Sequence, residues 1–176
     1  MFRLYQPSED SFLLAQSIED YHGTLALEIG VGSGEVLKVL CQNFRNVIGT
    51  DLDQTSLDYC RKTLPSNVAL VCCDAAYSLR ARFDLIASNP PYLPIQNGEE
   101  LDCTIHGGKT GIETTLRFLE SAKVLLAENG RMLIVASSLS DYQNLLCRIN
   151  QLGFRSHVLR KQKLFFETLV ILEITL

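Results

Sequence analysis

Most of the candidate strands in this 176-residue chain are apolar from end to end rather than apolar on alternate positions. The candidates are "TLALEIG" (24–30), "NVIGTD" (46–51), "NVALVCCD" (67–74), "FDLIASN" (83–89), "RMLIVAS" (131–137), "FRSHVLR" (154–160) and "ETLVILEITL" (167–176). A strand with one wet face alternates, whereas one buried on both faces does not, so this pattern demands a sheet covered on both sides. Between the runs lie stretches of helical period. "SGEVLKVLCQNF" (33–44) has a broad apolar face, and "DQTSLDYCRKTL" (53–64) opens on Asp53, a good N-cap. "TGIETTLRFLESAKVLLAENG" (110–130) reads as one long helix ending at Gly130, and "SDYQNLLCRINQLG" (140–153) ends on Gly153. Strand and helix in alternation give right-handed βαβ units. The fold expected is α/β: a doubly wound, mostly parallel, seven-stranded sheet with an antiparallel C-terminal hairpin.

Composition narrows the function classes. The net charge is -4, which does not suit a long nucleic acid gripped by its phosphates but leaves open a contact through one local patch. The six cysteines include no C-x-x-C pair, so the usual zinc spacing is missing. "MFRLYQPSED" lacks an apolar signal core, and no run reaches the roughly 18 apolar residues of a membrane span. A soluble protein in the cytoplasm is expected, with its cysteines reduced.

"LEIGVGSGE" sets Gly30, Gly32 and Gly34 between the first strand and the next helix, where a ligand can approach the backbone closely. A dinucleotide fingerprint would need glycine at position 35, which is Glu35. Glu28 on the preceding strand is a poor neighbour for pyrophosphate and a good one for a cationic ligand. S-adenosylmethionine carries both an ammonium and a sulfonium. Asp51, at the end of the second strand, can accept from ribose hydroxyls, and Asp74, after the third, from an adenine amino group; Leu52 and Ala75 follow them. Each acid alone reads more simply as a cap or turn residue. Three at the carboxyl ends of adjacent strands, where open α/β sheets bind ligands, read as a site.

The fourth strand ends in Asn89-Pro90-Pro91-Tyr92. Proline cannot donate to a ladder, so pairing stops there and the backbone stiffens. The Asn89 side-chain oxygen and the Pro90 carbonyl can accept both N–H bonds of a planar nitrogen, and Tyr92 offers a face to stack on. The bland alternative is a rigid loop start.

Asn-Pro-Pro-Tyr after a fourth strand, together with the glycine turn, resembles the class I amino-methyltransferases. The match is closest to the HemK/PrmC-type glutamine methyltransferases of translation release factors, in their short archaeal and eukaryotic branch. It rests on "YQPSEDSFLL", "LEIGVGSG", "GTDLD", "NPPYLP", "HGGKTG" and "LFFETLVILEI". The resemblance implies one methyltransferase domain over 1–176, with an N-terminal helical lid over about 1–22. It implies a cofactor site of Glu28, Gly30, Gly32, Asp51, Leu52, Asp74, Ala75 and Asn89, with Tyr5, Pro7, Glu9 and Ser11 above it. Asn89, Pro90, Pro91 and Tyr92 would hold a glutamine amide. For Ser11 and its neighbours the alternative is an ordinary helix start.

The resemblance implies a sheet order with the third strand at an edge, yet Val68–Cys73 carries no charge, which invites strand addition by a partner unless a neighbouring loop or helix covers it. In the branch resembled, that partner is a small zinc-ribbon activator protein. "IHGGKTG" (105–111) reads as a mobile loop, with His106 a loop residue rather than a base. Arg155, Arg160, Lys161 and Lys163 read as a solvated turn, with RNA or a release factor as the alternative contact. Rival functions are an adenine or cytosine amino-methyltransferase, a lysine methyltransferase, and a non-catalytic nucleotide-binding domain.

Overall fold

The computed structural model describes residues 5–176, so the first four positions of the expected lid lie outside the described residues. The elements run α1 (Glu9–Ile18), β1 (Gly23–Ile29), α2 (Glu35–Asn43), β2 (Phe44–Asp51), α3 (Gln54–Thr63), β3 (Val68–Cys72) and β4 (Phe83–Ser88). They continue with β5 (Leu93–Pro94), β6 (His106–Gly108), α4 (Glu113–Lys123), β7 (Leu126–Ser137), α5 (Tyr142–Gln151), β8 (Arg155–Lys163) and β9 (Thr168–Thr175). Seven strands form one sheet in the order β3-β2-β1-β4-β7-β9-β8. Pairing is parallel from β3 to β7, and β9 runs antiparallel to both β7 and β8.

The unbroken apolar runs do cover two cores. Leu27, Ile29, Ile86, Met132 and Ile134 face Leu119, Ala122, Leu145 and Ile149 from α4 and α5. Ala26, Leu85, Ala87, Leu133 and Val135 face Leu14, Ile18, Leu37, Leu40 and Leu57 from α1, α2 and α3. Adjacent residues of one strand thus serve opposite layers, as the period of two requires. Burying each large side chain contributes about 1.5–3 kcal/mol. Asp53 caps α3, its carboxylate accepting from Thr55 N at 3.0 Å and Ser56 N at 3.2 Å. Gly153 follows α5 at φ +84°, as a helix stop should.

Three expectations change. The helix over 110–130 is α4 alone; past Lys123 the chain turns, Leu125 O accepts from Phe83 N, and Leu126 pairs with Phe83. Pairing resumes at Arg131 opposite Leu85, so the intervening residues bulge from the ladder. A Cβ on Gly130 would stand 2.6 Å from Phe83 O, so this glycine permits close strand approach rather than ending a helix. The basic residues do not form a turn but lie along β8, and the hairpin turn is shorter than its sequence suggested, residues 164–167. The third change concerns "HGGKTG", which is described below. As expected, β3 stands at an edge of the sheet; Ala69 and Cys72 are exposed, and Val68, Leu70 and Val71 are half-buried.

Candidate active site

The carboxyl ends of β1, β2, β3 and β4 open into one cavity of about 670 Å³. Ser11, Glu28, Gly30, Gly32, Asp51, Leu52, Ala75, Asn89, Pro90, Pro91 and Tyr92 all line it. Asp74 does not. Its half-exposed carboxylate lies 3.5 Å from Arg117 Nε, a surface ion pair, and it is Arg117 that reaches the wall. Of the N-terminal residues, Tyr5 and Ser11 line the cavity, while Pro7 and the exposed Glu9 stand away from it.

The turn after β1 holds Gly30, Gly32 and Gly34 at φ +78°, +48° and +79°, in the left-handed region that a side chain disfavours. Asp51 fastens this turn. Its Oδ2 accepts from Gly32 N at 3.0 Å and its Oδ1 from Asp53 N at 2.9 Å. Burial raises the Asp51 pKa, and those backbone donors pull against it. Glu28 is 2% exposed, and its Oε2 finds no donor among the described residues. Burial, then the charge of Asp51, lifts its pKa well above the usual carboxylate range. A buried acid beside another acid, with an oxygen left over, fits a cationic ligand.

The Asn-Pro-Pro-Tyr segment is fixed three ways, by its own two prolines, by Asp10 of α1 and by "HGGKTG". Tyr92 O–H donates to Asp10 Oδ2 at 3.1 Å, and Tyr5 O–H donates to the same oxygen at 2.7 Å. Asp10 is 3% exposed and also accepts from Ser11 N and Oγ, at 2.6 and 3.2 Å. Burial first, and then the Asp10 carboxylate, push both phenols above their usual pKa. The first turn of α1 is therefore bolted to the end of β4.

The third of these, "HGGKTG", is not a loose loop. Leu93 N donates to Ile105 O at 2.9 Å and Ile95 N to Gly108 O at 3.0 Å, forming the small β5–β6 sheet. A Cβ on Gly107 would meet Pro91 O at 2.3 Å, and one on Gly111 would meet Tyr92 O at 2.3 Å. Glu113 ties the loop to α4 by accepting from Thr110 N at 3.0 Å and Ile112 N at 3.1 Å. His106 Nδ1 accepts from Asp102 N at 3.0 Å, its Nε2 lies 3.6 Å from Glu99, and the residue lines the cavity. At the centre of this frame the Asn89 side-chain oxygen is buried and has no donor among the described residues.

Sequence reasoning passed over Asp10, Thr50 and Arg117, which line the same cavity. The signal for Asp10 was present, an acid directly before Ser11, but acids in a helix's first turn are common for dipole reasons alone.

Glu28 on β1 and Asn89 after β4 both present a buried acceptor oxygen, without a donor among the described residues, to the one cavity. The sheet and this edge define an S-adenosylmethionine-dependent methyltransferase with a Rossmann-like fold. Residues 6–166 match the family model of the methyltransferase small domain, and the chain belongs to that family. It is 29% identical over 178 residues to "Putative protein N5-glutamine methyltransferase MJ0928" of Methanocaldococcus jannaschii, covering 96% of this chain and 90% of that protein. It is 30% identical to mouse "Methyltransferase HEMK2", over 75% of this chain and 71% of that one. The solved E. cuniculi Mtq2–Trm112 complex, titled as methylating the eRF1 termination factor, superposes with a TM-score of 0.79. That match covers 97% of this chain and 96% of the other at 24% identity, a likeness of fold.

Proposed function

We propose that this enzyme methylates the side-chain amide nitrogen of a protein glutamine, in the GGQ loop of a class I translation release factor. The observation that carries this reading is the buried, donor-less Asn89 oxygen on a segment fixed by two prolines and by Asp10. Asn89 Oδ1 and the Pro90 carbonyl accept the two amide N–H bonds, and the Tyr92 ring supports the amide plane. An amide lone pair is delocalised and weakly nucleophilic, so alignment and polarised N–H bonds matter more than a strong base. Glu28 and Ser11 hold the charged end of S-adenosylmethionine, Asp51 its ribose hydroxyls, and Leu52 and Ala75 flank the base. The bound cofactor supplies an electrophilic methyl on a sulfonium leaving group. One similar protein is named for N5-glutamine methylation and another for methylation of a termination factor, which supports this acceptor.

A small zinc-ribbon protein adds a strand to the uncharged outer edge of β3, which is consistent with the two-protein complex named for the similar fold. The pair works in the cytoplasm, where release factors act; among the described residues no helix is long and apolar enough to cross a membrane.

The test offers labelled S-adenosylmethionine to the chain, with and without the partner. The acceptors are release factor, its GGQ→GGA variant, a lysine-bearing protein, DNA and RNA. Label should appear on release factor alone and vanish with GGA. Label on nucleic acid or lysine, with none on release factor, would reverse the assignment. Asn89→Ala should lose transfer by about 10²-fold or more while retaining cofactor binding.

A further inference from the structure

The β8–β9 turn, residues 164–167, carries the two most exposed large apolar side chains among the described residues: Phe165 is 92% exposed and Phe166 83%. Their rings pack edge to face with centroids 4.6 Å apart, and none of the described residues covers the pair. A free-standing pair of phenylalanines is a poor surface for a protein alone, because each ring carries about 150–250 Å² of largely apolar area.

The sheet fixes where this tip points. Thr168 begins β9, and Leu169 pairs with Ser137 at the carboxyl end of β7, so the turn projects from the same sheet edge as the cavity. Asn89–Tyr92 leaves that edge from β4, with β7 between them. Strands are about 4.8 Å apart, which sets the tip roughly 10–14 Å to the side of the acceptor motif. The intervening ground is continuous. Glu167 accepts from Ser137 Oγ, and its charge adds to the raised pKa of Tyr5 and Tyr92. Leu139 is 42% exposed beside it, and Ser140 packs against Gly111, which touches Tyr92.

We propose that Phe165 and Phe166 are the docking anchor for the polypeptide that carries the methyl acceptor; this rests on the reading of that acceptor as a protein. A protein that inserts one side chain beside Asn89 covers a patch of about 800 Å², roughly 16 Å in radius. The tip falls inside that footprint, and aromatic side chains are enriched among interface anchors. A nucleic acid fits worse. Exposed Glu99, Glu100 and Asp102 are chain neighbours of Leu101 and Cys103 of the cavity wall, and their charge disfavours a phosphate backbone there. Lys161 and Lys163, exposed on β8 before the tip, add a cationic rim that suits acidic side chains around an apolar contact.

The experiment compares wild type, F165S/F166S and F165L/F166L with cognate release factor, in parallel with DNA and RNA. Affinity for S-adenosylmethionine, measured by calorimetry, reports whether the cavity is intact. Docking predicts a KM for release factor about thirtyfold higher in F165S/F166S, with kcat and cofactor affinity within twofold. The leucine pair should recover most of the loss. Unchanged KM in F165S/F166S would overturn the anchor while leaving the glutamine reading standing. A fall in kcat at unchanged KM would overturn it too, by moving the tip into the chemistry. Methyl transfer by wild type to RNA or DNA and none to release factor would overturn both.

Discussion

Asp10 is the point at which the N-terminal helix and the acceptor motif are joined, and the energy of that joint can be measured. Its Oδ2 takes hydrogen bonds from Tyr5 at 2.7 Å and from Tyr92 at 3.1 Å, in a site that leaves the residue 3% exposed. Hydrogen bonds to a charged acceptor are worth about 1.5–3 kcal/mol each, against about 1 for neutral pairs. Asp10→Asn keeps the shape but replaces an acceptor oxygen by an NH2 facing two hydroxyl donors. The phenols can rotate to accept instead, so the expected loss is about 2–3 kcal/mol rather than the full sum. Tyr92→Phe removes only the longer bond and leaves Asp10 three other donors, at about 1–2 kcal/mol. Because both substitutions break the same bond, the double variant should cost less than their sum by about 1–2 kcal/mol. Urea denaturation of the four proteins of the cycle measures this coupling directly. In thermal melts Asp10→Asn should lower Tm by about 4–12 °C for a chain of this length. Displacing the Tyr92 ring should also lower kcat about tenfold to a hundredfold. Additivity within about 0.5 kcal/mol would show that the carboxylate does not hold Tyr92, and the account of the clamp would fail.

Glu28 is raised well above its ordinary pKa by burial and by Asp51, so the folded state keeps a proton that the unfolded chain releases. Stability from this group is greatest below the unfolded pKa and declines as pH rises toward the folded one. Without cofactor, Glu28→Gln should therefore melt higher than wild type at pH 7, with the gap closing toward pH 4. Its affinity for S-adenosylmethionine should fall by about 2 kcal/mol, roughly thirtyfold, by calorimetry. A variant less stable than wild type at every pH would refute this. Gly107→Ala places a methyl 2.3 Å from Pro91 O and 2.6 Å from Gly111 O, both backbone atoms. It should cost about 1–3 kcal/mol in denaturant melts and abolish methyl transfer while sparing cofactor binding. Full activity would mean that the loop need not lock the acceptor motif.

Local signals were legible where one residue type suffices to set one backbone feature. Asp53 could be read as a cap, the glycines after β1 as a sharp turn, and Pro90-Pro91 as the end of a ladder. Misreadings arose where a segment's state depends on a distant partner. "VLLAENG" has good helical residues, yet Leu126 leaves α4 because Phe83 is there to pair with it. "HGGKTG" looks mobile because its glycines suggest freedom, but at Gly107 and Gly111 they serve close approach to Pro91 and Tyr92. Asp74 stands at the expected strand end, but its carboxylate lies outside the cavity wall, 3.5 Å from Arg117 of α4. Asp10 was hidden for the converse reason: its partners Tyr5 and Tyr92 are 5 and 82 positions away.

By itself the sequence determined the layered α/β sheet, because runs apolar on both faces leave no other way to exclude water. It also determined which short motifs meet at the carboxyl edge, because strand direction and the right-handed crossover rule place them there. Only the tertiary structure decided which oxygens remain free. A carboxylate or amide can be spent on a neighbour or left for a ligand, and that choice depends on donors brought together from α1, α4 and the strand ends. Asp10 is spent, whereas Glu28 Oε2 and Asn89 Oδ1 are left without donors among the described residues.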